Sequence, residues 1–228
     1  MSKFFDLKKI LGQRWNPFFD PGFLLFFIFA QALILSGFFV FFPLALRKSN
    51  LKFKHLDKKS LIYFFAIGIG FLFIEIVLIQ KFILFLGHPI FSTTAVIFSV
   101  LLFSSIGSLY SQRIGVKNLK KIILILFVLT IIYSFLLKFF INSFIAFNLI
   151  PKMILTSIFV APLSFSMGFA FPLGIKKINK ELIPWAWAVN GSASVLSPIL
   201  AIMLSLAFGY NFVLILAGMV YLAGVLFI

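Results

Sequence analysis

Hydrophobic positions in this chain gather into seven long apolar blocks, and most of the charge falls in the short connectors between them. The blocks run Gly22–Leu46, Leu61–Leu86, Ile90–Tyr110, Ile122–Ile141, Leu149–Ile175, Trp185–Phe208 and Asn211–Ile228. They are apolar on every face, which excludes the shorter, alternating strands of a membrane barrel. A run of about 18 apolar residues, rising about 1.5 Å per residue as a helix, is the length that crosses a hydrocarbon core about 30 Å thick. The pattern therefore predicts an all-α fold, a polytopic integral membrane helical bundle of about seven transmembrane helices. That bundle occupies residues 22–228 as a single domain, after a basic lead over residues 1–21. The lead lacks the short apolar core and small-residue cleavage site of a signal peptide.

Composition narrows the function classes. The 228 residues are 63% hydrophobic and 11% charged, whereas soluble domains carry about 25% charged residues. A soluble globular enzyme is excluded, and so is a disordered chain, which could not leave this much apolar surface in water. There is no cysteine, and there are five acids and two histidines. Disulfides, thiol catalysis and thiolate metal sites are therefore excluded, and neither a dedicated metal centre nor a bound cofactor is expected.

The net charge of +15 changes the picture through its placement. Nucleic-acid binders concentrate bases on one solvated surface, but here the bases lie between apolar blocks, so no nucleic-acid partner is expected. The lipid bilayer and its anionic headgroups are the nearest partner. The first connector holds Arg47, Lys48, Lys52, Lys54, Lys58 and Lys59, the third Arg113, Lys117, Lys120 and Lys121, and the fifth Lys176, Lys177 and Lys180. Thirteen bases thus fall on one side, against seven on the other, counting the four in the lead with Lys81, Lys138 and Lys152. The odd-numbered connectors are expected to be cytoplasmic, in a bacterial inner membrane, with the N-terminus outside and the C-terminus inside.

Residues that are costly to place in lipid mark the candidate sites. Glu75 lies mid-way along the second block, where a carboxylate costs about 2.5–3.5 kcal/mol on insertion scales and so calls for a partner or a neutral form. It reads as a proton or cation site facing the bundle interior, or as an interhelical hydrogen bond that fixes packing. Gln80 and Lys81 lie near the end of the same block, within reach of the interface. Gly68 and Gly70 permit close backbone approach, or open space for a ligand. Gly87, His88 and Pro89 make a tight connector, in which His88 either relays protons or bonds the backbone. Ser104, Ser105, Gly107 and Ser108 close the third block; Ser104 and Ser108, four apart, read as a small-residue seam for helix association, with solute binding as the alternative. Pro151, Pro162, Ser164, Ser166, Gly168, Pro172 and Gly174 predict a kinked or broken fifth block. Pro184, Trp185 and Trp187 suit a helix start at the headgroup level. Asn190, Ser194 and Ser197 then share one helical face with Ala186, Ala193 and Ala201, beside Gly191. That stripe is a helix seam or the wall of a polar cavity.

Four stretches together resemble the membrane portion of multi-pass spermidine-synthase-like proteins. They are YFFAIGIGFLFIEIVLIQKFILFLGHP (63–89), LLFSSIGSLYSQR (101–113), MGFAFPLG (167–174) and PWAWAVNGSASVLSP (184–198). Such proteins join membrane helices to a soluble Rossmann-type domain of the aminopropyltransferase and methyltransferase kind. The resemblance spans most of residues 20–228 and covers Gly68, Gly70, Phe71, Glu75, Gln80, Gly87, His88, Pro89, Gly107 and Ser108. It continues through Gly168, Phe171, Pro172, Gly174, Pro184, Trp185, Trp187, Asn190, Gly191 and Ser194. Lys81 stands where arginine is expected. No segment here corresponds to the soluble domain, so the resemblance implies no catalytic residues on this chain and no enzyme activity for it alone.

Three readings stay open. The resemblance implies a membrane domain that works with a separate soluble aminopropyltransferase-like or methyltransferase-like partner, as its anchor or as a polyamine or cation conduit. The alternative is a stand-alone proton- or cation-coupled carrier, with Glu75, His88, Asn190, Ser194 and Gln80 along its path. The third is a non-transporting structural membrane protein or a gene fragment.

Overall fold

The computed structural model describes the backbone of residues 21–46 and 58–228, and the side chains of 24–38 and 58–228. The basic lead up to residue 20 and the connector bases from Arg47 to Lys54 lie outside the described residues. Every apolar block is helical. We number the helices α1 (Pro21–Leu46), α2 (Lys58–Leu86), α3 (Pro89–Tyr110), α4 (Leu119–Phe144), α5 (Leu149–Met167), α6 (Ala170–Ile175), α7 (Ile183–Phe208) and α8 (Tyr210–Val225). Short 3-10 turns over Ser111–Arg113, Val116–Asn118 and Lys180–Leu182 complete the described chain, which contains no strand.

Five segments are long and apolar enough to cross a membrane: Lys58–Leu86, Pro89–Arg113, Val116–Phe144, Leu149–Ile175 and Lys180–Phe208. Helix α8 (Tyr210–Val225) is apolar and shorter, and α1 is apolar over the described stretch Leu24–Phe38 of its 26 residues. The protein is an all-α integral membrane bundle, as the block pattern leads one to expect, and five of its segments meet the length and hydropathy of a membrane span among the described residues.

Helix α2 is the central element. It packs against α7, α8 and α3, while α3 pairs with α5, α4 with α8, and α1 lies on α7. Hydrophobic burial does not drive helices together in lipid, so close packing and buried hydrogen bonds must hold this arrangement. Small residues supply the closeness. A Cβ on Gly107 would collide with the Phe165 carbonyl, and one on Gly168 with the Ser104 carbonyl, so α3 and α5 cross backbone to backbone. Gly70 accepts the Tyr221 ring and Gly174 the Tyr63 ring in the same manner. Buried hydroxyls supply the hydrogen bonds. Tyr63 donates to the Ala170 carbonyl at 2.6 Å, Ser92 to Ile79 at 2.6 Å and Ser197 to Ile69 at 2.7 Å.

The breaks follow from local chemistry. Gly87 turns the chain at φ 77°, a conformation that favours glycine. His88 then caps α3, its Nδ1 accepting from the Ile90 amide at 3.3 Å, with Pro89 opening the helix. The fifth block divides at Gly168 and Phe169. Proline at 172 has no N–H to offer the Gly168 carbonyl, so the helical ladder is interrupted one turn earlier.

Candidate functional site: a cleft among five helical segments

A cleft of about 470 Å³ lies beside the break after α5, between helices that otherwise pack closely. Helix α2 contributes Ile67, Gly68, Phe71 and Leu72, and α3 contributes Leu101, Ser104, Ser105 and Ser108. The α5–α6 break supplies Met167, Gly168, Ala170, Phe171 and Pro172; α7 adds Trp187, Asn190 and Ser194, and α8 adds Tyr221. The volume falls within the range of about 300–1,000 Å³ usual for small-molecule sites.

Local sequence explains why each group points there. On α2, Gly68, Phe71 and Leu72 follow three- and four-residue spacing and so share one face. Gly68 lets α7 approach: a Cβ there would lie 2.7 Å from the Asn190 carbonyl and 3.0 Å from its side-chain oxygen. On α7, Asn190 and Ser194 line the cleft, whereas Ala186, Ala193, Ser197 and Ala201 are fully buried. The stripe is therefore both a cavity wall and a seam. On α3 the seam residues divide likewise, with Gly107 at the crossing and Ser104, Ser105 and Ser108 facing the space.

The lining is aromatic and neutral. Phe71, Phe171, Trp187 and Tyr221 provide four rings, with the Phe171 and Trp187 centroids 4.4 Å apart. None of the described lining residues is charged. Ser194 donates to the Asn190 carbonyl at 2.9 Å and Ser105 to the Leu101 carbonyl at 2.6 Å, so those hydroxyls can only accept. The Tyr221 hydroxyl, the Asn190 amide and the Ser108 hydroxyl have no hydrogen-bond partner among the described residues. Tyr221 is only 1% exposed. Its hydroxyl is nevertheless not among the fully enclosed unpaired oxygens, which are those of Ser164 and Ser205.

Of the residues expected from sequence to form a polar site, the cleft brings together Asn190 and Ser194. Glu75 is one turn beyond Leu72 on the same face of α2; it is half-buried, with no hydrogen bond or ion pair among the described residues. Gln80 and His88 lie further along, towards the opposite end of the bundle, where His88 serves as a helix cap. Among the motif residues, Gly68, Ser108, Gly168, Pro172 and Trp187 line the cleft, and Gly70, Gly107 and Gly174 make close packing contacts. Gly87 and Pro89 form the turn before α3, Pro162 lies within α5, and Trp185 is half-buried near the start of α7. Gly191 has open space around it.

Sequence reasoning missed Tyr221. The available signal was a hydroxyl inside the otherwise apolar run LILAGMVYLAGV, since a buried tyrosine normally seeks a partner for its O–H.

The architecture defines an integral membrane protein with an aromatic-lined cleft. Comparison with protein-family models, curated proteins and solved structures finds no match.

Proposed function

We propose that this chain is the membrane-embedded half of a two-part system. Its cleft holds a small molecule, and its bundle anchors a separate soluble protein of the aminopropyltransferase or methyltransferase kind. One observation carries the reading: each of the four stretches that bear the resemblance contributes to the same cleft. Gly68 and Phe71 come from the first, Ser108 from the second, Phe171 and Pro172 from the third, and Trp187 and Asn190 from the fourth. Stretches serving packing alone would have no reason to meet around a space.

In this proposal the odd-numbered connectors face the cytoplasm of a bacterial inner membrane, following the asymmetry of bases. The cleft then occupies the cytoplasmic half of the bundle, because Ser108 precedes Arg113 and Pro172 precedes Lys176 by little more than one turn. A partner docked on the basic connectors would sit above it. Purification of the native protein in mild detergent should bring down a soluble Rossmann-type protein in stoichiometric amount, identified by mass spectrometry. Recovery of the chain alone, at detergent levels that preserve other membrane complexes, removes the partner from the reading.

A second reading rests on Glu75. A carboxylate with no partner among the described residues, one turn from the cleft and on the face that lines it, suits the passage of a polyamine or another cation by the chain acting as a carrier. Its test is cation flux in liposomes with Glu75→Gln.

A further inference from the structure

The lining of the cleft specifies more than that something binds. We infer that the ligand is an uncharged, flat ring bearing hydrogen-bond-accepting oxygens on an apolar tail, the chemistry of a membrane quinone, and that it enters sideways from the bilayer. The inference rests on the reading of the cleft as a binding site, and it names the ligand class.

Three observations lead there. The first is charge. A charged ligand would leave water for a site whose described lining offers no opposite charge, a transfer that costs several kcal/mol even after relaxation. An uncharged one avoids that cost. The second is the kind of polar group on offer. Tyr221 is 1% exposed, and among the described residues neither its hydroxyl nor the Asn190 amide has a hydrogen-bond partner. Both can donate a hydrogen bond. Two carbonyl-type oxygens on a ligand would satisfy them. The third is shape and access. Phe71, Phe171 and Trp187 line the space, and aromatic side chains pair with a flat ring at centroid distances of about 4.5–7 Å. Leu101 and Trp187, both lining the cleft, are 56% and 61% exposed, and the lining residue Ser105 is exposed too. All three lie within segments apolar enough to cross the membrane. A tail leaving the cleft there would run into lipid, which dissolves such molecules and delivers them without a water-filled path.

The test uses the full chain in nanodiscs of uncharged lipid, with Trp15→Phe and Trp185→Phe so that Trp187 alone reports. A short-tailed benzoquinone, which quenches tryptophan on contact, is titrated in. Saturable quenching is expected. Ser105→Phe, placed at an exposed lining residue where it need not repack the core, should abolish saturation. Tyr221→Phe removes one hydrogen bond from a neutral pair and should weaken binding about 3- to 10-fold. Quenching that rises in proportion to quinone in the bilayer, and equally in Ser105→Phe, would overturn the inference. So would displacement of the quinone by a short alkyl diamine, which would show that the cleft takes cations. Because the experiment needs no soluble partner, its failure leaves the co-purification result standing, and the absence of a partner leaves this binding result standing.

Discussion

Two sets of polar side chains inside the bundle differ in what they bond: one bridges helices and the other lines the cleft. Tyr63, Ser92 and Ser197 each give their hydrogen bond to a carbonyl on another helix, and each such bond contributes about 0.6 kcal/mol on average in a membrane bundle. Asn190, Tyr221 and Ser108 keep unused capacity and surround the cleft. Glu75 belongs with the second set, having no partner among the described residues, though it stands one turn outside the space. Its prominence was legible in the sequence, because a carboxylate in an apolar run carries its cost wherever the helix packs. Tyr221 was not legible to the same degree, since whether a tyrosine finds a partner depends on a neighbouring helix that periodicity does not identify. If Glu75 couples cation movement, replacing it with glutamine keeps its shape but removes the charge. Loss of one charge-assisted hydrogen bond, about 1.5–3 kcal/mol, should then lower cation flux in liposomes by about ten- to a hundredfold, with thermal unfolding unchanged. Flux equal to that of the wild type would remove Glu75 as the coupling group.

Helices show where the sequence speaks clearly and where it stops. The seven apolar blocks match the observed helices to within a few residues at each end, because apolar length and turn residues are local properties. The break in the fifth block followed from Gly168 and Pro172, and the four-residue spacing of Ser104 and Ser108 announced a seam. The identity of the helix across that seam was hidden, since blocks that are apolar all round carry no label for their neighbours. The structure supplies it: α3 meets α5 with Gly107 against the Phe165 carbonyl and Gly168 against that of Ser104. A methyl group at either glycine must push a backbone, which yields far less readily than the end of a side chain. Gly107→Ala should therefore destabilise the bundle by about 1–3 kcal/mol, as overpacking of a close-fitted core does. Gly191→Ala is the matched control, a helical glycine with nothing within 4 Å, and should be neutral or stabilising by up to about 1 kcal/mol. Thermal unfolding in one detergent compares the two, and equal effects would mean that the α3–α5 crossing is looser than it stands here.

For the molecule as a whole, the side of the membrane on which the cleft lies decides which partners and ligands can reach it. The cleft sits near the ends of α3, α6 and α7 that adjoin Arg113, Lys117, Lys176, Lys177 and Lys180. Tyr221 reaches it from α8, whose 16 residues rise about 24 Å and fall short of a full hydrocarbon thickness of about 30 Å. Orientation therefore rests on the bases rather than on a count of spans. The chain's lack of cysteine makes this directly measurable, since a single introduced thiol has no background. Lys117 and Asn148 are both exposed and lie in the connectors at opposite ends of α4. With the basic connectors cytoplasmic, Asn148→Cys should react with a membrane-impermeant maleimide on intact cells, and Lys117→Cys should react only after permeabilisation. The reverse pattern would place the cleft in the outer half of the membrane, out of reach of a cytoplasmic partner, while leaving lateral access from lipid unchanged. Labelling of both thiols in intact cells would mean that α4 does not span, contrary to its length and apolar character.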